Sequence, residues 1–253
     1  MNTPPIDCAR FIAGFAARAA VASALICSAA AMAQTPLLAP FNGSGATPPP
    51  PWRISTLPHQ TKPVTQFTLE SVDGHSTLRV EAVESYGTLV HALEGESTQA
   101  RKLKWRWRVD QPLAQANLRE RSGDDTAVKV CALFDEPLDS MSFGDRNWLR
   151  LARANDPLTP AASVCYVWDH DLSPGTTLHN AFTHRVRYLV LRSGESAPGE
   201  WAKESRDLGA DFLRLFGDES PTVPPLVGIL VGADSDNTHG HSLAHVADLE
   251  LLP

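Results

Sequence analysis

Leu103, Trp105, Trp107 and Val109 alternate with Lys104, Arg106 and Arg108. This period of two places four apolar side chains on one face of a strand and three cations on the other. Leu78, Val80 and Ala82 do the same against Arg79 and Glu81, and Val186, Tyr188 and Val190 against Arg185 and Arg187. Further apolar runs at 64–70, 86–93, 126–134, 163–168, 226–232 and 243–252 read as strands. They are separated by turn-rich pieces such as Val72-Asp73-Gly74-His75 and Leu172-Ser173-Pro174-Gly175. Many short strands with few helices predict an all-β fold, an antiparallel β-sandwich or jelly roll.

The period changes in two places. Leu208, Phe212, Leu215 and Phe216 fall on one helical face, with Asp207 placed to cap its start and Gly217 its end before Pro221. A second helix is expected from about 141 to 154, interrupted by Gly144 and Asn147. Residues 34–51 hold four consecutive prolines from Pro48 together with Gly43 and Gly45. That composition favours extended backbone over burial and predicts a disordered leader to a single sandwich domain at 52–253.

The N-terminus reads as an address. Arg10 and Arg18 precede an apolar stretch from Val21 to Ala31, too short to span a bilayer, and Ala31-Met32-Ala33 offers the small residues of a cleavage site. Residues 1–33 are expected to be a cleaved signal peptide, leaving a periplasmic or secreted chain with no transmembrane segment. The net charge is -7, and removing Asp7, Arg10 and Arg18 (net +1) leaves -8. That surface disfavours nucleic acid as a partner. Export would also leave Cys131 and Cys165 where a disulfide persists. Both sit mid-strand, so a bridge requires the two strands to be neighbours in matched register, and two buried free thiols are the alternative.

Several motifs follow one another in order: Leu103 to Val109; Gly123-Asp124-Asp125; the strand ending Phe134-Asp135; Tyr166-Val167-Trp168; Pro174-Gly175-Thr176; Arg192-Ser193-Gly194; Trp201; Arg206; Asp211; Leu215-Phe216-Gly217; and Asp234-Ser235-Asp236-Asn237-Thr238. In that order and approximate spacing they resemble the exported bacterial family called domain of unknown function 3047, over roughly residues 52 to 252. The resemblance implies a periplasmic or secreted domain with a lectin-like or galactose-binding-like jelly roll, and it brings no established activity. Where that family has aromatic residues before the last strand, this chain has His241 to His245.

The densest chemistry is Asp234-Ser235-Asp236-Asn237-Thr238, directly after a buried strand. Asp234 and Asp236 with Asn237 offer the hard oxygen donors that calcium takes, although the twelve-residue loop of an EF-hand is missing. The same residue types also build tight turns by bonding their own backbone. Asp124 and Asp125 have this character at the start of another strand. If the two loops converge, a cation or a raised carboxylate pKa is expected. His239, His241 and His245 extend the metal reading to zinc, although solvated surface histidines are the plain alternative.

Trp105, Trp107, Tyr166, Trp168 and Trp201 could stack on sugar rings. Their alternation makes Trp105 and Trp107 core, and Trp168, before Asp169-His170-Asp171, is the better ligand-facing candidate. Nucleophile-elbow, zinc-protease and phosphate-loop motifs are missing. Two functions follow. The first is a non-enzymatic exported sandwich that binds a carbohydrate or other envelope ligand, with Asp124, Asp125, Asn237 and Trp168 near the ligand and calcium on Asp234 and Asp236. The second is a hydrolase of a cell-envelope polymer, with carboxylates from 124–125 and 234–236 as acid and base.

Overall fold

In the computed structural model, which describes residues 36–45, 47–137, 141–194 and 200–253, twelve strands form two sheets. The strands are β1 (Trp52–Ser55), β2 (Gln66–Val72), β3 (His75–Val83), β4 (Tyr86–Ala92), β5 (Lys102–Gln111), β6 (Thr126–Phe134), β7 (Ala162–Asp169), β8 (Thr177–His179), β9 (Val186–Ser193), β10 (Ala202–Asp207), β11 (Leu226–Asp234) and β12 (His241–Leu252). The seven-stranded sheet runs β1-β4-β11-β6-β7-β9-β8 and the five-stranded sheet β10-β5-β12-β3-β2. This is a β-sandwich of jelly-roll type. Its one departure from the antiparallel expectation is β7 against β9, which are parallel. The expected signal peptide and its cleavage site lie outside the described residues.

Alternation does what it predicts. Leu103, Trp105, Trp107 and Val109 point between the sheets with Val80, Val130, Tyr166 and Val246, and Trp105 and Trp107 are 1% and 0% exposed. Helix α2 (Leu208–Phe216) plugs one end of this core through Leu208, Phe212, Leu215 and Phe216, with Asp207 accepting from the Ala210 amide as its N-cap. Helix α1 (Phe143–Asn155) lies between β6 and β7 in the chain.

Three strands were not foreseen. β8 is three residues long, and β10, Ala202-Lys203-Glu204-Ser205-Arg206-Asp207, is an edge strand whose residues are nearly all polar, so no hydrophobic period marks it. β1 follows the prolines. The reading of 34–51 as a disordered leader is corrected from Pro36 onward: the segment forms no regular element, yet Leu38 and Phe41 are 2% and 6% exposed inside the core. Trp52 Nε1 donates to the Ala39 carbonyl, and the Ala39 amide donates to His91 Nε2. Extended, proline-rich backbone needs only a few apolar side chains and two such bonds to dock along a sheet.

The two outer faces differ. On the seven-stranded sheet Cys131, Leu133, Val167, Tyr188 and Val190 form a second apolar cluster, against which Leu172 and Leu178 pack. There Cys131 and Cys165 stand directly opposite each other on β6 and β7 and are joined, with Cα atoms 4.0 Å apart. Among the described residues no such apolar cluster lies on the outer face of the five-stranded sheet. Lys104, Arg106, Arg108, Arg79, Glu81 and Glu70 alternate there with the buried residues of their strands.

Candidate functional site

β6 and β11 are antiparallel neighbours, so the loop entering β6 lies beside the loop leaving β11. Topology therefore brings together Asp124, Asp125, Asp234 and Asp236. Asp234 Oδ1 accepts from the Thr126 amide at 2.8 Å and its hydroxyl at 2.6 Å, while Oδ2 accepts from Lys129 Nζ at 2.6 Å. Gly232 makes room for that lysine, since a Cβ there would stand 3.2 Å from Lys129 Cε. Burial alone would lower the Lys129 pKa. The attraction of Asp234, joined by Tyr188, Tyr86 and the hydrogen bond to Asp234, outweighs it, and the ammonium ends above the ordinary lysine value.

Asp125 is 1% exposed and works as a cap. Its Oδ2 accepts from the Thr238 amide at 2.7 Å and hydroxyl at 2.6 Å, and its Oδ1 accepts from Asn237 Nδ2 at 3.0 Å. Asn237 thus ties the two loops to each other. Asp124 accepts from Asn180 Nδ2 and, at 3.3 Å, from the Tyr188 hydroxyl. Its burial raises its pKa to about 6; Lys129 opposes the rise and Asp234 adds to it. Asp236, partly exposed, is raised in the same direction, by burial first and then by Asp125 and Asp234.

Asp124, Asp125 and Asp234 are thus answered from within. The cation facing Asp234 is a lysine of the chain itself, and among the described residues no group of three or more His, Cys, Asp or Glu side chains is arranged to hold a metal ion. Asp124, Asp125 and Asp234 are 4%, 1% and 5% exposed. Trp168 is likewise mostly inside: it is 7% exposed, its Nε1 donates to the Gly194 carbonyl, and its ring meets Trp107 edge-on at 5.9 Å. Its edge joins Leu113, Asp125, Ala127, Asp169 and His170 around a shallow depression.

The outer face of the five-stranded sheet holds the cluster that sequence reasoning did not assemble. His245 pairs with Arg108 across β12 and β5 and with Arg79 across β12 and β3. Its Nδ1 lies 2.5 Å from Asp110 Oδ2 and its Nε2 2.5 Å from Glu70 Oε1. Each ring nitrogen thus faces one carboxylate. Trp201 packs against the guanidiniums of Arg106 and Arg108, at 5.1 and 5.2 Å from its ring centre, and stays partly exposed. His241 meets Glu81 and His239 faces Glu84, so the three histidines go to separate carboxylates. In sequence Glu70, Asp110 and His245 are far apart. Only the order β5-β12-β3-β2 makes them one group, and Trp201, one of the five aromatics that could stack on sugar rings, carries no period that assigns it to this face.

Three solved structures resemble this fold distantly. The xyloglucanase domain of NopAA, a type three effector from Sinorhizobium fredii in complex with cellobiose, is 10% identical, with 83% of this chain and 91% of that chain covered and a TM-score of 0.37. Endoglucanase 3 from Trichoderma harzianum, of family GH12, is 10% identical over 74% and 85%, with a TM-score of 0.33. The family 11 xylanase from Neocallimastix patriciarum is 9% identical over 74% and 85%, with a TM-score of 0.31. No curated protein matches the chain. The profile of one family does match, over residues 50–250, and the chain belongs to that family, described as protein of unknown function (DUF3047).

Proposed function

We propose that the chain is an exported carbohydrate-binding module whose ligand surface is the outer face of the five-stranded sheet around Trp201, His245, Glu70 and Asp110. One observation carries the reading: a partly exposed indole lies on the outer face of the five-stranded sheet, flanked by guanidiniums and carboxylates. A sugar ring offers an apolar C–H face to an indole and hydroxyls to charged groups beside it, and an open sheet suits an extended polymer better than a compact solute. Glu70 contributes further, because its side chain is 36% exposed and among the described residues its Oε2 has no partner. Cations and acids are mixed on this face, which fits a neutral or weakly charged glycan better than a polyanion.

The test is calorimetric titration of a panel of neutral and uronic-acid oligosaccharides against the parent and Trp201→Ala. The reading expects binding to at least one class, weakened about tenfold or more by the substitution, with little change in thermal stability. A panel that binds the two proteins equally would remove Trp201, and the proposal with it.

A further inference from the structure

Helix α1 is turned inside out. Ser142 caps it by accepting from the Asp145 amide, Leu149 is fully buried with Met141 and Ala161, and Arg153 reaches back to Asp135 and to the Thr159 carbonyl. That inward side is narrow and partly polar. The large apolar residues look outward instead: Phe143, Trp148 and Leu151 are 78%, 49% and 69% exposed. The patch continues beyond the helix. His184 holds Asp145 at 3.1 Å, which brings the neighbouring Phe182, 55% exposed, to the start of α1, and Arg121 lies over the Phe182 ring at 5.3 Å. Aromatic and aliphatic side chains grouped on a surface in this way mark a contact.

The charge indicates with what. Within α1, Arg146, Arg150 and Arg153 stand against Asp145 alone, three cations less one anion, on a chain whose net charge is -7. Arg150 and Arg121 are exposed. A helix with Trp, Phe and Leu outward and arginines beside them matches the boundary between anionic headgroups and acyl chains. A second copy of the chain fits less well, because a two-fold contact would set this face, with its exposed Arg121 and Arg150, against the same face of its mate. We propose that α1 and the 182–184 loop dock the protein on an anionic lipid surface, with Phe143, Trp148 and Leu151 entering the interface and Arg121 and Arg150 meeting headgroups.

The compact unit Thr35–Pro253 contains the whole described core and is the protein to use, since the apolar N-terminus would bind lipid unaided. It is sedimented with phosphatidylcholine vesicles that contain or lack phosphatidylglycerol, at low and high salt. Expected is binding that needs the anionic lipid, weakens with salt and falls about tenfold or more in Leu151→Asp and in Phe143→Ser, both with parental thermal unfolding. Parent protein that stays in the supernatant, variants that bind as the parent does, or equal binding to both vesicle types would overturn the proposal. So would a dimer in sedimentation velocity that Leu151→Asp dissolves, which would assign the face to self-association.

Discussion

The loop rim at the start of β6 and the outer face of the five-stranded sheet both collect acids around a nitrogen base, and they end in opposite conditions. At the rim Lys129, Thr126, Asn180, Tyr188, Asn237 and Thr238 satisfy Asp124, Asp125 and Asp234, and all three acids are buried. On the sheet face His245 is buried between Glu70 and Asp110, yet those carboxylates keep 36% and 22% of their side-chain exposure, with Trp201 alongside. Clustered negative charge therefore does not by itself ask for a ligand. What separates a staple from a binding surface is whether the chain has already supplied the countercharge and sealed it from water.

The largest expected effect lies at the rim. Lys129→Met leaves Asp234 buried without its cation and is expected to cost about 4 kcal/mol of stability in denaturant unfolding, whereas Trp201→Ala on the open face stays within about 0.5 kcal/mol. A small loss for Lys129→Met would mean that the rim is not sealed as described. The next effect is one of pH. Asp124 has its pKa raised from 3.8 to about 6 by burial, so its contribution to stability is fully present below 3.8 and is lost as the pH rises through about 6. Above pH 7 the buried carboxylate is ionised at a cost. Asp124→Asn removes that cost while the amide still accepts from Asn180 and can donate to Tyr188. It is expected to be more stable than the parent by about 2 kcal/mol at pH 8 and nearly level with it at pH 4 in thermal unfolding. A parent Tm that does not fall between pH 5 and 8 relative to that of the variant would contradict the assignment. The smallest expected effect is none: with Lys129 in place, EDTA and calcium should leave the Tm where it is, whereas an ion held at about a hundred times its dissociation constant would add about 2.7 kcal/mol.

Much of the scaffold was legible because its alternation is regular. The period from Leu103 to Val109 makes Trp105 and Trp107 core, and the spacing of Leu208, Phe212 and Phe216 makes α2. Where the period fails, so does the reading. β10 is nearly all polar, because one strand neighbour and exposure to solvent ask little hydrophobicity of it, and Leu38 and Phe41 enter the core from a stretch whose prolines suggest disorder. The site was legible only as separate pieces. Asp124-Asp125 and Asp234 to Thr238 stand out as motifs, but their contact comes from the adjacency of β6 and β11, and Lys129 looks in sequence like the solvent-facing residue of a half-buried strand. Glu70 and Asp110 carry no motif, and His245 stands out only with His239 and His241. Four strands in register make them a cluster, and register is decided by long-range pairing that local pattern does not record.

The separation of a sealed rim from an open face is tested most directly by carrying Asp124→Asn and Trp201→Ala through the same oligosaccharide titration. The expected result is an Asp124→Asn protein that binds as the parent does and a Trp201→Ala protein that has lost about tenfold or more in affinity. Binding lost in Asp124→Asn and kept in Trp201→Ala would place the ligand at the rim and contradict the account.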